Sequence, residues 1–246
     1  MNLDFTLDKY SELLNAIRNY GFDSFVLRHD VDLLPENSFR IARMEAKSGM
    51  TGIYYFRAVP ESWNERIIRE IFDLGHEIGY HYESLTTCGG DIDAAYADFC
   101  KNLEALRKLV PVKSICMHGS PRSPYDSKDI WKKYDYHALD IESEPYLDTD
   151  FSRTYYLTDT GRRWDGYKVS VRDKIPQFQD KWTAAGLVFH STDDVIEGLR
   201  SGRIPKHMMM TVHPQRWNPF GCRWCQEMVL QNVKNIIKKS IIRKKL

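Results

Sequence analysis

Phe25-Val26-Leu27-Arg28-His29-Asp30-Val31-Asp32 takes a short apolar run straight into a polar, chemistry-bearing segment. Pro35 to Ser48 follows at helical spacing, with Pro in its first turn and Gly49 beyond its end. Upstream, Leu7 to Tyr20 has apolar residues at the same period and stops at Gly21. Downstream, Ile53-Tyr54-Tyr55-Phe56 is β-branched and aromatic and reads as a buried strand. A helix over Asn64–Leu74, closed by Gly75, leads to a strand over Glu77–Glu83. The alternation continues with a helix at Ile92–Leu109 and strands at Lys113–Met117, Leu187–His190 and Met208–Val212. Helix signals lie at Asp194–Arg200 and from Gln226 onward. Strands separated by helices predict parallel pairing with crossover connections. No GxGxxG or GxxxxGKS loop follows a strand, which disfavours an open nucleotide-binding sheet. The expected fold is α/β, a single-domain distorted (β/α) barrel of about seven strands over residues 1–246, with 226–246 as a basic amphipathic helix.

The 246 residues carry 35 Lys+Arg against 34 Asp+Glu, a formal charge of +1, which excludes a general nucleic-acid binder. With 42% apolar residues and no biased tract, the chain is expected to fold into a sizeable core. No apolar run approaches the roughly 18–20 residues needed to span a bilayer. Met1-Asn2-Leu3-Asp4-Phe5 lacks the start of a secretory signal, and five scattered cysteines suit a reducing compartment. A cytoplasmic location is expected. Cys222-Arg223-Trp224-Cys225 has zinc-like spacing, but no second pair follows it.

Metal-ligating residue types recur at strand C-terminal ends: Asp30 and Asp32, His81 and Glu83, His118, and His213. In a parallel barrel these ends converge on the face where active sites form. Asp30 and Asp32 lie two apart and point the same way if the strand persists. Two carboxylates so close repel unless a cation lies between them. A divalent metal would take one of them and leave the other as a base. His76 belongs to the opposite rim and reads as structural.

The Asp-containing strand end followed by Gly75-His76-Glu77-Ile78-Gly79-Tyr80-His81 resembles the polysaccharide deacetylase (NodB-homology) superfamily, in a divergent His-Asp-Val-Asp branch. The resemblance runs from about Phe25 to His213. It implies a distorted barrel holding one divalent metal, zinc first, with cobalt, nickel and manganese as alternatives. It also implies hydrolysis of N- or O-acetyl groups on sugars. Carried over, Asp30 is the catalytic base, Asp32 a metal ligand, His81 the first ligand His and His213, in Thr211-Val212-His213-Pro214, the general acid. Arg122-Ser123-Pro124-Tyr125 resembles the motif whose Arg orients the base. The family's second ligand His falls four residues after the first, where this chain has Leu85. His118 is the first candidate to replace it and Glu83 the second.

On the substrate side, Trp164, Arg122 and Asp159 are the candidates, Asp159 being also able to orient His213. Trp217 and Tyr125 are further flat faces for a sugar ring. The expected partner is an acetylated sugar or a lipid-linked or nucleotide-linked glycan in surface-glycan biosynthesis, with no nucleic acid. Lys234, Lys238, Lys239, Arg243, Lys244 and Lys245 interleave with Val233, Ile236, Ile237, Ile241 and Ile242. Such a helix either packs its Ile face on the barrel or lies weakly on the inner membrane surface. Two other functions compete with the deacetylase: a catalytically silent glycan-binding or scaffold barrel, and a metal hydrolase of a ureide or cyclic amide.

Overall fold

In a computed structural model, which describes residues 3–120, 123–170 and 172–245 and side chains as far as 237, helices and parallel strands alternate. The strands are β1 (Ser24–Val31), β2 (Ile53–Phe56), β3 (Glu77–Tyr82), β4 (Ser114–Met117), β5 (Tyr155–Thr158) and β6 (His207–Val212). The main helices are α1 (Leu7–Tyr20), α2 (Pro35–Lys47), α3 (Glu65–Asp73), α4 (Ser84–Thr87), α5 (Ile92–Arg107), α6 (Pro145–Asp148), α7 (Pro176–Ala184), α8 (Thr192–Arg200) and α9 (Cys222–Lys245). All five strand pairings are parallel, in the order β4-β3-β2-β1-β6-β5, and the sheet curls into a half-barrel.

Local chemistry sets the helix limits. Thr6 caps α1 by accepting from the Lys9 amide, and Gly21, at φ 69°, takes the left-handed turn that ends it. Ser191 and Asp194 form a reciprocal capping box on α8. Helix α3, for example, buries its apolar stripe of Ile67, Ile68 and Ile71.

Among the described residues the expected count of about seven strands becomes six. Leu187–His190 is not a strand: Leu187 and Phe189 are buried in a connection between α7 and α8, which explains the apolar signal. Conversely, Tyr155–Thr158 is a strand that the alternation did not single out. Beyond β4 a seventh position is reduced to one parallel bridge, Ser114 to Ser143, with the Glu142 amide donating to the Lys113 carbonyl.

Register explains the key glycine of the sequence motif. Tyr55 of β2 lies beside Gly79 of β3 in the sheet. A Cβ on Gly79 would stand 2.3 Å from the Tyr55 ring. The glycine therefore makes room for an aromatic ring that fills the barrel interior.

Candidate active site

β1 runs through Asp30 to Val31, and its alternation separates two histidine-and-carboxylate systems. His29 points outward under α2, with Nε2 2.8 Å from Glu45 Oε1, both fully buried. Arg28, Asp30 and Asp32 point to the interior. Arg28 is buried and grips Asp30 with both arms of its fork, Nε to Oδ1 at 2.8 Å and Nη2 to Oδ2 at 2.6 Å. Burial alone would raise the Asp30 pKa; the Arg28 charge, aided by His81, outweighs it and holds the carboxyl well below the usual range. Asp30 is thus an ionised, fixed carboxylate. Arg122, to which the family resemblance gives base orientation, lies outside the described residues; Arg28 holds Asp30 from the same strand.

His81, near the end of β3, donates from Nδ1 to the Cys116 carbonyl at 2.9 Å. Its Nε2 faces Asp30 Oδ2 and Asp32 Oδ1, each at 3.7 Å. Burial pushes the His81 pKa down to about 4 despite those carboxylates, so Nε2 presents a lone pair to them. His118 follows β4. Its Nδ1 lies 2.9 Å from Glu83 Oε2, and its Nε2 lies 3.5 Å from Asp32 Oδ1. Arg57 in turn holds Glu83 through Nε at 3.0 Å and Nη2 at 2.6 Å. Burial would raise the Glu83 pKa, but His118 and then Arg57 bring it to about 2. An ionised Glu83 can only accept, so the His118 proton sits on Nδ1, and in the neutral ring Nε2 is again a lone pair.

Asp32 Oδ1, on which both rings converge, is buried without a hydrogen-bond partner among the described residues. The other oxygen, Oδ2, accepts from Gln215 Nε2 at 3.0 Å. Neutral rings would turn their Nε2 lone pairs toward this ionised oxygen, an arrangement that suits a cation. A tetrahedral zinc about 2.0–2.1 Å from each donor sets donors roughly 3.3–3.5 Å apart. The 3.7 and 3.5 Å separations of Asp32 Oδ1 from His81 and His118 come close to that spacing for the two pairs that share Asp32. The grouping whose ligand atoms all lie within 4.8 Å of one another among the described residues is Asp30, His81 and Cys116. It is chemically poorer, because Arg28 occupies both Asp30 oxygens and burial raises the Cys116 thiol pKa well above its ordinary value.

Leu85 shows why His118 is available for this place. It sits in the one-turn helix α4, with its side chain buried in the core, so that turn sends no group into the cavity. Glu83 acts on His118 as a hydrogen-bond acceptor.

His213 closes β6 on the other side of the cavity. Asp159, fully buried after β5, accepts from the His213 amide and lies 2.7 Å from Nδ1. Arg216 Nη1 and Trp217 Nε1 also donate to Asp159, at 2.9 and 2.8 Å. Burial and Arg216 would lower the His213 pKa; Asp159 and Asp32 outweigh them and raise it, favouring the imidazolium. Asp159 is therefore a positioning residue for His213, and its burial excludes direct contact with substrate. Trp164 is likewise 2% exposed, donating to Thr192 and stacked near Phe5, so the expected sugar platform is a core residue. Trp217 is buried too, and Tyr125 remains exposed. His76 is structural as expected, with Nδ1 accepting from the Gly52 amide and Nε2 facing the Ala42 carbonyl.

Asp173 escaped sequence reading, since it lies outside any strand end. Its carboxylate accepts from Tyr146 Oη at 3.0 Å and Thr158 Oγ1 at 2.8 Å, and also from Tyr156 and Thr160. It stands 3.9 Å from His213 Nε2, across from the histidine pair. Asp30, Asp32, His81, His118, Asp173 and His213 together line a cavity of about 120 Å³.

No protein-family model matches the sequence, and no curated protein matches it. Among solved structures, the chain is similar to a mutant of a CE4-family pseudoenzyme with restored enzymatic activity, at 12% identity and a TM-score of 0.41. The match covers 89% of this chain and 65% of that one, so the chain spans just under two thirds of that chain's length.

Proposed function

We propose that this chain is a metal-dependent hydrolase that removes an acetyl group from the nitrogen, or the oxygen, of a sugar. The observation that carries the reading is the convergence of two histidine Nε2 atoms on Asp32 Oδ1, which has no hydrogen-bond partner among the described residues. Asp32, His81 and His118 would hold the ion, with Glu83 orienting His118. A divalent ion there would supply Lewis acidity toward a water and an acyl carbonyl.

The residues divide the proton work between two walls. Asp30, kept ionised by Arg28, takes the proton of the attacking water. His213, kept cationic by Asp159, delivers a proton to the departing amine or alkoxide. Both groups hold the protonation state their task requires before substrate arrives. The cavity is far smaller than the roughly 300–1,000 Å³ that enclose a whole ligand, which supports entry of a pendant acyl group from a sugar held outside.

Metal analysis of the purified protein by mass spectrometry tests this reading. About one ion per chain is expected, lost in Asp32→Ala, His81→Ala and His118→Ala. Asp30→Asn should keep the ion and lose about 10²–10⁴-fold in acetate release from N- or O-acetylated sugars. Failure to bind zinc, cobalt, nickel or manganese after reconstitution would overturn it.

A further inference from the structure

Helix α9 packs the wrong way round for an ordinary surface helix. Trp224, Gln231 and Asn235 form its buried face. Asn235 donates to the Gly161 carbonyl at 2.8 Å and accepts from Gln231 at 2.9 Å, while Trp224 Nε1 donates to the Asp4 carbonyl at 2.8 Å. Arg162 also lies over the Trp224 ring, 4.5 Å from its centre, and donates to the Trp224 carbonyl. The helix is thus moored largely by polar contacts.

Its apolar residues point the other way. Val229, Leu230, Val233 and Ile237 recur at i, i+1, i+4 and i+8, share one helical face, and are 50–56% exposed. Phe220, just before the helix, is 59% exposed and lies edge-on to the Trp224 ring. A water-facing stripe opposite a polar mooring face inverts the usual arrangement, in which the apolar side faces the core. The sequence then supplies charge: Lys234, Lys238, Lys239, Arg243, Lys244 and Lys245 follow or flank the stripe, while the rest of the chain is net acidic.

We propose that the outer face of α9 docks on an anionic lipid surface, with its apolar side chains in the headgroup boundary and its basic residues on lipid phosphates. The charge selects this occupant. A patch so rich in lysine and arginine complements anionic headgroups, whereas a second copy of the helix would bring more positive charge to the same stripe. The proposal stands independently of the hydrolase reading.

Co-sedimentation of the full chain with phosphatidylcholine vesicles, with and without 30% phosphatidylglycerol, tests it. Binding is expected to the anionic vesicles, at least ten-fold above that to phosphatidylcholine alone, and to weaken in 0.5 M salt. Leu230→Asp with Val233→Asp should abolish it, with circular dichroism and melting temperature unchanged because both positions are exposed. Lys238→Gln with Lys239→Gln should weaken it several-fold. No binding to anionic vesicles, or binding that survives the aspartate pair, would overturn the proposal. So would light scattering showing a dimer that the aspartate pair dissociates, without vesicle binding, since the stripe would then be a self-association face.

Discussion

Two aspartates two residues apart on β1 acquire opposite roles from their neighbours. Asp30 sits in the Arg28 fork with both oxygens committed, while Asp32 offers a bare buried oxygen to two imidazoles. A pair of like charges that would otherwise share a proton is thereby separated into a carboxylate fixed by Arg28 and one with an open oxygen. The same logic governs His213, whose raised pKa depends on Asp159. The acid-competent form lies below that pKa, so kcat/KM should fall as pH rises through it. Asp159→Asn removes the stabilising charge and should move this basic limb toward lower pH, read from the pH profile of acetate release. Glu83→Gln, by weakening the acceptor that orients His118, should lower metal affinity about 10–100-fold in a chelator competition.

At the scale of elements, the strands are short and their register does the placing. Tyr55 opposes Gly79, and Cys116 opposes His81, so His118, two residues further on, leans over the same side of the sheet as Cys116. Gly79→Ala would drive a methyl into the Tyr55 ring and the Ser114 carbonyl, at 2.3 and 3.0 Å. The expected cost is about 1–3 kcal/mol, seen as a lower urea midpoint with unchanged slope. The helix-strand alternation was largely legible because period and capping signals are local. Thr6, Pro35, Gly21 and the Ser191 box all act within a few residues of their helix ends. Leu187–His190 misled because burial alone makes a connection look like a strand, and periodicity cannot distinguish the two in four residues.

Across the whole molecule, the candidate site is assembled from β1, β3, β4 and β6 with one wall from Ser170, Arg172 and Asp173. Groups distant in sequence are therefore linked in stability. Stripping a bound ion with a chelator should lower the melting temperature, and returning zinc at about 1,000 times its Kd should restore about 4 kcal/mol of stability. Asp32→Ala should be insensitive to both treatments.

The sequence by itself determined the alternating architecture, the convergence of Asp30, Asp32, His81, His118 and His213 on strand ends, and the glycine that the motif requires. Each follows from period, turn chemistry or residue type, all local properties. Only the tertiary structure decided that Arg28 holds Asp30, that Asp159 and Trp164 are buried, and that Asp173 forms a wall. It also decided that α9 turns its apolar stripe outward. Asp159 meets His213 across 54 residues and Gly161 meets Asn235 across 74, and side-chain partnership over such distances leaves no periodic trace in the chain.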